Sequence, residues 1–202
     1  MKKDILRKYQ GCKEIVYIPS SVSVIGDAAF KNSPFVKKVI IHDNVSKICL
    51  ESFCGCKSLQ NVKFPNHLKK IDTSAFSGCI QLENVELPEG LDAIYENAFE
   101  NCTNLKEITI PKSVRIMKPN IFKGCLSELV IKGSYDSEAR IYAERYLIKF
   151  MEVNGPEVNI DIEKNEEISE FILPAKETID RVSYNNIDVK EDDIDDFMSD
   201  LI

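Results

Sequence analysis

Long apolar runs are missing from this 202-residue chain, and so is any excess of positive charge. No stretch approaches the ~18 residues that a membrane-crossing helix needs. With 26 Lys+Arg against 33 Asp+Glu the net charge is −7, which argues against a general binder of nucleic acid. Glycine and proline are few, eight of each, and that excludes collagen-like and Gly/Pro low-complexity sequence. There is no Gly-rich phosphate loop, no nucleophile elbow and no HExxH pair, so no catalytic residue, metal ligand or cofactor site can be named. The opening Met1-Lys2-Lys3 is basic but has no apolar stretch behind it, so no signal peptide is expected. What is present, 44% hydrophobic and 29% charged residues, is too apolar for wholesale disorder and long enough for a real core.

Charge is unevenly placed. Residues 157–202 hold 15 acids and 4 bases, leaving 18 acids and 22 bases in residues 1–156. The two parts differ chemically, and Asn154-Gly155-Pro156 reads as a hinge between them. The expected organisation is a folded domain over 1–154 and an acidic, partly flexible tail over 155–202.

A repeat organises the first part. Phe30, Phe53, Phe76, Phe99 and Phe122 stand 23 residues apart. Apolar slots keep the same period: Val22, Val45, Leu68, Leu91, Val114, and then Ile25, Ile48, Ile71, Ile94, Met117. A strand-like pair recurs as Val16/Ile18, Val39/Ile41, Val62/Phe64, Val85/Leu87 and Ile108/Ile110, alternating inward with polar residues that face out. Proline or His42 follows each pair, and proline ends a strand because it cannot donate the next ladder hydrogen bond. Asn32, Gly55, Gly78, Asn101 and Gly124, two past each Phe, predict positive φ. One such coil cannot bury its apolar side alone, so the coils must stack, with the phenyl rings filling the space between them.

These residues carry a resemblance. Ala75-Phe76-Ser77-Gly78-Cys79, continuing through Leu82, Val85, Leu87, Pro88, Leu91 and Ile94 to Ala98-Phe99, resembles the BspA-like leucine-rich repeat, over about residues 9–150. The resemblance implies a leucine-rich repeat solenoid, mostly β within the α/β repeat class. It would be right-handed, with a parallel sheet on one face and short strands or turns on the other. It also implies a binding role, since such repeats are similar to surface and adhesion modules of bacteria and protists. The first and last coils read as shortened caps: Cys12 to Pro19 and Cys125 to Lys132 are seven residues each, against nine from Cys56 to Pro65.

A capping helix is expected at about 137–147, N-capped by Ser137, with Ala139, Tyr142, Ala143 and Tyr146 as its apolar stripe. Ile148, Phe150 and Val153 then predict a final strand covering the sheet edge. In the tail, Val158/Ile160/Ile162 and Phe171–Pro174 read as extended, and Ile194, Phe197, Met198 and Leu201 share one helical face. That segment either stays mobile, docks on its own basic repeat body or meets a partner. Cys56, Cys79, Cys102 and Cys125 share one slot three past each Phe. A linear ladder without matching histidines does not make a tetrahedral zinc site, so these are read as small packing residues. Seven cysteines cannot all pair within one chain, and free thiols suit a reducing compartment, so a cytoplasmic protein is expected. The alternative is a cell-surface protein, if the chain is a fragment of a longer secreted one. His42 and His67 read as solvent-side turn residues.

The sheet face is the candidate recognition surface. From the register, one outward row reads Tyr17, Ile40, Lys63, Glu86, Thr109, Val130, and the other Ile15, Lys38, Asn61, Asn84, Glu107, Glu128. Aromatic anchors ringed by polar groups concentrate interface energy, which makes Tyr17 the leading anchor. The expected function is a non-enzymatic protein-binding module with no cofactor and with neither nucleic acid nor membrane as partner. The alternative is a surface adhesin fragment that binds host protein or glycan.

Overall fold

The computed structural model describes residues 4–153, and the expectations for the acidic tail fall outside them. The chain runs through β1 (Asp4–Leu6), β2 (Ile15–Ile18), β3 (Val22–Ile25), β4 (Lys38–Ile41), β5 (Lys47–Ile48), β6 (Asn61–Lys63) and β7 (Lys70–Ile71). It continues through β8 (Asn84–Glu86), β9 (Ala93–Ile94), β10 (Glu107–Thr109), β11 (Ile116–Met117), β12 (Val130–Gly133), α1 (Glu138–Arg145) and β13 (Lys149–Glu152). All pairings are parallel, and the partner of Val16 is Val39, of Val39 is Val62, of Val85 is Ile108 and of Ile108 is Ile131. The 23-residue period is therefore the rise of one coil. The fold is a leucine-rich repeat solenoid.

Inside, the phenyl rings form one column. Centroids of Phe30, Phe53, Phe76, Phe99 and Phe122 are 4.8, 5.0, 5.2 and 5.9 Å apart, with neighbouring planes tilted by 4–18°. That spacing matches the separation of adjacent strands, about 4.8 Å, so ring stacking and backbone pairing have the same pitch. Tyr9 extends the column at 4.8 Å from Phe30. It stands 21 residues before Phe30 in a coil two residues short, and Gly11-Cys12 follow it as Gly-Cys follows the phenylalanines. At the other end Tyr142 of α1 meets Phe122 edge-on at 5.8 Å, and its hydroxyl accepts a hydrogen bond from the Ile121 N–H at 2.9 Å. The helix stripe closes the core as expected, although Ser137 makes no side-chain cap bond to it.

Each coil makes two left-handed steps around its Phe. The later one was expected, and Asn32, Gly55, Gly78, Asn101 and Gly124 have φ between 56 and 75°. The earlier one falls on Ala28, Glu51, Ser74, Asn97 and Asn120, at φ 52–60°, where residue type gives no consistent signal. Backbone bonds to the next coil hold it, with the N–H groups of Ala28, Glu51 and Ser74 donating to the carbonyls of Leu50, Thr73 and Glu96. At the later step a Cβ on Gly55 would sit 2.2 Å from Asn32 Oδ1, whereas on Gly78 its nearest neighbours are at 3.7 Å. Gly78→Ala is expected to cost about 1–2 kcal/mol from positive φ alone. Gly55→Ala should cost more, and pairing it with Asn32→Gly should return the cost to the Gly78→Ala level. Equal denaturant midpoints for the two single variants would contradict this.

The cysteine ladder is a hydrogen-bonded one. The Sγ–H groups of Cys56, Cys79, Cys102 and Cys125 donate to the carbonyl oxygens of Phe30, Phe53, Phe76 and Phe99 at 3.0–3.3 Å. Each thiol thus fills a small slot and satisfies a main-chain acceptor beside the ring column. Cys12, in the short first coil, is exposed. A thiol reagent is expected to label Cys12 quickly in the folded protein and to spare Cys79 and Cys102 until unfolding. Labelling of all three at one rate would contradict the ladder.

Two expectations change. The last coil is not shortened, because Glu107 pairs with Val130 and Thr109 with Lys132, so the coil keeps its full period through Gly133. Glycine in the slot that carries Ile, Leu or Phe elsewhere hides that register, and the outward rows end on Lys132 and Val130 rather than on Val130 and Glu128. Val153 does not follow Ile148 and Phe150 toward the core and instead lies on the rim of the sheet face. The face expected to hold short strands or turns does hold short strands, joined in a six-stranded ladder, β1-β3-β5-β7-β9-β11, and the main sheet is split into β2-β4-β6 and β8-β10-β12-β13.

Candidate binding groove

The split falls between β6 and β8. Residues 61 and 63 pair toward β4, so by the alternation of a parallel ladder the N–H and C=O of Val62 point toward β8, which does not bond to them. Phe64 marks this coil. It stands where Ile18, Ile41, Leu87 and Ile110 stand in the others, and its ring meets Phe76 edge-on at 5.7 Å. The larger ring fills the space under the strand end, and overpacking of this kind is relieved by displacing backbone. Val62 is only half-buried, whereas its equivalents Val16, Val39, Val85 and Ile108 are buried. The other side of the same coils stays closed, with β5-β7-β9 continuous and Phe53 on Phe76 at 5.0 Å.

A groove of about 1120 Å³ lies over this seam on the sheet face. Lys38, Ile40, Asn61 and Lys63 line it from one side, and Asn84, Glu86, Glu107 and Thr109 from the other. Eight of the twelve residues in the two outward rows, all those between the first and last coils, therefore share one concavity. Ile15 and Tyr17 do not. They sit at the start of the sheet beside a separate hollow of about 410 Å³ with Tyr9 and Cys12, where Tyr17 is 70% exposed. The rim residues Asn66, Pro88, Glu89 and Pro111 were not read from the sequence as part of a site. The proline slot that ends each strand was the signal for them, since a strand end on a curved face is also a groove edge.

The groove is electrically divided along the solenoid axis. Lys38 and Lys63 precede the seam, Asn61 and Asn84 meet across it, and Glu86 and Glu107 follow it. Glu107 is paired with Lys132 at 2.7 Å. Among the described residues Lys38, Lys63 and Glu86 are in no ion pair, even though Lys63 and Glu86 are one coil apart. His42 and His67 are exposed turn residues. Among the described residues no group of three His, Cys, Asp or Glu side chains gathers into a metal-binding set.

Comparison with known proteins agrees with this architecture. The family model described as a BspA type leucine rich repeat region matches residues 8–135 in six copies. A solved leucine-rich repeat protein of T. pallidum is similar, at 27% identity and TM-score 0.62, over 63% of this chain and 62% of that one. A leucine rich cell surface protein of Faecalibacterium prausnitzii is similar at 30% identity and TM-score 0.63, over 69% of this chain and 37% of that one. A leucine-rich repeat protein of Bacteroides ovatus, 24% identical with TM-score 0.56, shares the fold over 69% of this chain and 42% of its own. This chain thus spans less than two thirds of those proteins' lengths. No curated protein sequence matches it. With six repeat copies covering most of its length and the stacked coils they encode, the chain belongs to the BspA-type leucine-rich repeat family.

Proposed function

We propose that the chain is a non-enzymatic protein-binding module that uses the groove on its sheet face. The observation that carries this reading is the convergence of eight outward strand residues on one concavity whose unpaired charges lie open to solvent. Rows of outward side chains on a rigid coil stack need no reordering on binding, which lowers the entropic cost of association. A displayed library of linear peptides, selected on the intact chain, tests it. Binders are expected to lose about tenfold or more in affinity on Ile40→Asp or Asn84→Arg, with the melting temperature unchanged. Binders indifferent to both substitutions would overturn the reading.

The compartment we infer is a reducing one, the cytoplasm, and the seven free thiols support it. A cell-surface role is the second reading, favoured by the likeness to the F. prausnitzii surface protein. Protease treatment of intact cells separates the two, since only a surface-borne groove would be cut.

A further inference from the structure

We propose that the groove selects an extended peptide whose side chains run apolar, acidic, basic along the solenoid axis. This rests on the protein-binding reading and adds the chemistry of the partner. Along the axis come Tyr17, just outside the groove, then Ile40 with Lys38 on the same strand, then Lys63, then Glu86, one coil per step. Two paired steps at about 4.8 Å and one open step, over which Cα atoms still come within 8 Å, place Glu86 about 14–18 Å from Tyr17, a distance that five or six extended residues span. Alternate side chains of such a peptide point to the same face, so an apolar residue, an acid two positions on and a base two further meet those groups in turn.

Two independent features support a peptide with both charges. First, Lys38, Lys63 and Glu86 have no partner among the described residues, and each is exposed, so a ligand of matching sign order gains three ion contacts without breaking any. A uniformly acidic peptide would meet Glu86 and Glu107, and a uniformly basic one would meet Lys38 and Lys63. Second, the sign changes at the seam, where Val62 presents an N–H and a C=O that the sheet does not use. Cα atoms of β6 and β8 still approach within 8 Å, less than the two strand spacings, about 9.6 Å, that an inserted strand needs. The peptide therefore lies over the seam across the strands, where single backbone hydrogen bonds to Val62 remain available. The apolar end fixes direction, because it adjoins the lysines and not the glutamate.

Exchanging the charges tests this on the full-length chain. Library peptides selected on the native chain are expected to carry the order apolar-acid-base. A synthetic peptide of that order should bind about tenfold more weakly to the double variant Lys63→Glu/Glu86→Lys. A peptide with its acid and base interchanged should regain that loss on the variant and bind poorly to the native chain. Raising salt should shrink both differences. Peptides that respond to Ile40→Asp but are indifferent to the charge exchange would overturn this inference and leave the protein-binding reading standing. Peptides indifferent to all of these substitutions would overturn both.

Discussion

Replacing Phe76 by alanine is expected to lower stability by about 3–5 kcal/mol, seen as a fall in Tm on the order of 10 °C. The ring is fully buried and lies between Phe53 at 5.0 Å and Phe99 at 5.2 Å, with Phe64 edge-on at 5.7 Å. Its removal leaves a void lined by rings that the flanking coils hold in place. The continuous ladder β5-β7-β9 and the bond from the Phe76 N–H to the Ala98 carbonyl fix the coil pitch beside the ring, so the cavity cannot collapse without breaking backbone pairing. Tyr9→Ala should cost clearly less, since Tyr9 is half-buried at the open end of the column and has a ring on one side only. A Phe76→Ala protein with an unchanged melting curve would mean that the rings do not support the stack.

Raising the pH above about 9 is the second large perturbation. Burial pushes the thiols of Cys56 and Cys125 up to about 11, and those of Cys79 and Cys102 are raised as well. Burial likewise pushes the Tyr142 hydroxyl up to about 12. In the unfolded chain a cysteine ionises near 9. Below that pH both states hold the proton and the ladder's stability is complete. Above it the unfolded chain releases protons that the folded chain keeps, so stability falls as pH rises toward each folded value. Each fully buried thiol contributes a slope of up to about 1.4 kcal/mol per pH unit. Denaturant midpoints at pH 8 and pH 10.5 should drop steeply for the native chain. The Cys79→Ala/Cys102→Ala variant should start lower and drop less. Parallel drops would assign the alkaline loss to lysine ion pairs instead.

The features legible in the sequence are those that every coil repeats. The Phe column, the inward strand pairs and the Gly/Asn steps recur because each copy meets the same neighbours above and below. Departures confined to one copy were hidden by that regularity. Tyr9 falls outside the 23-residue period because its coil lacks two residues, and Gly133 obscures the register of the last coil. By pattern Phe64 is one more inward apolar residue, and only its size distinguishes the coil where the sheet opens. The left-handed residues two before each Phe give no consistent signal because, in the first three coils, inter-coil backbone bonds hold Ala28, Glu51 and Ser74 in that conformation whatever their side chain. The outward rows gave most of the groove lining, since side-chain direction follows from strand parity. They did not give its extent, which depends on where the sheet is broken.

Amide hydrogen exchange on the intact chain bears most directly on a stack of coils with one open step. The N–H groups of Val39, Val85 and Ile108, bonded within ladders, are expected to exchange slowly, while that of Val62 at the seam exchanges orders of magnitude faster. Slow exchange at all four would close the step from which the groove is argued, and fast exchange at all four would dissolve the stack itself.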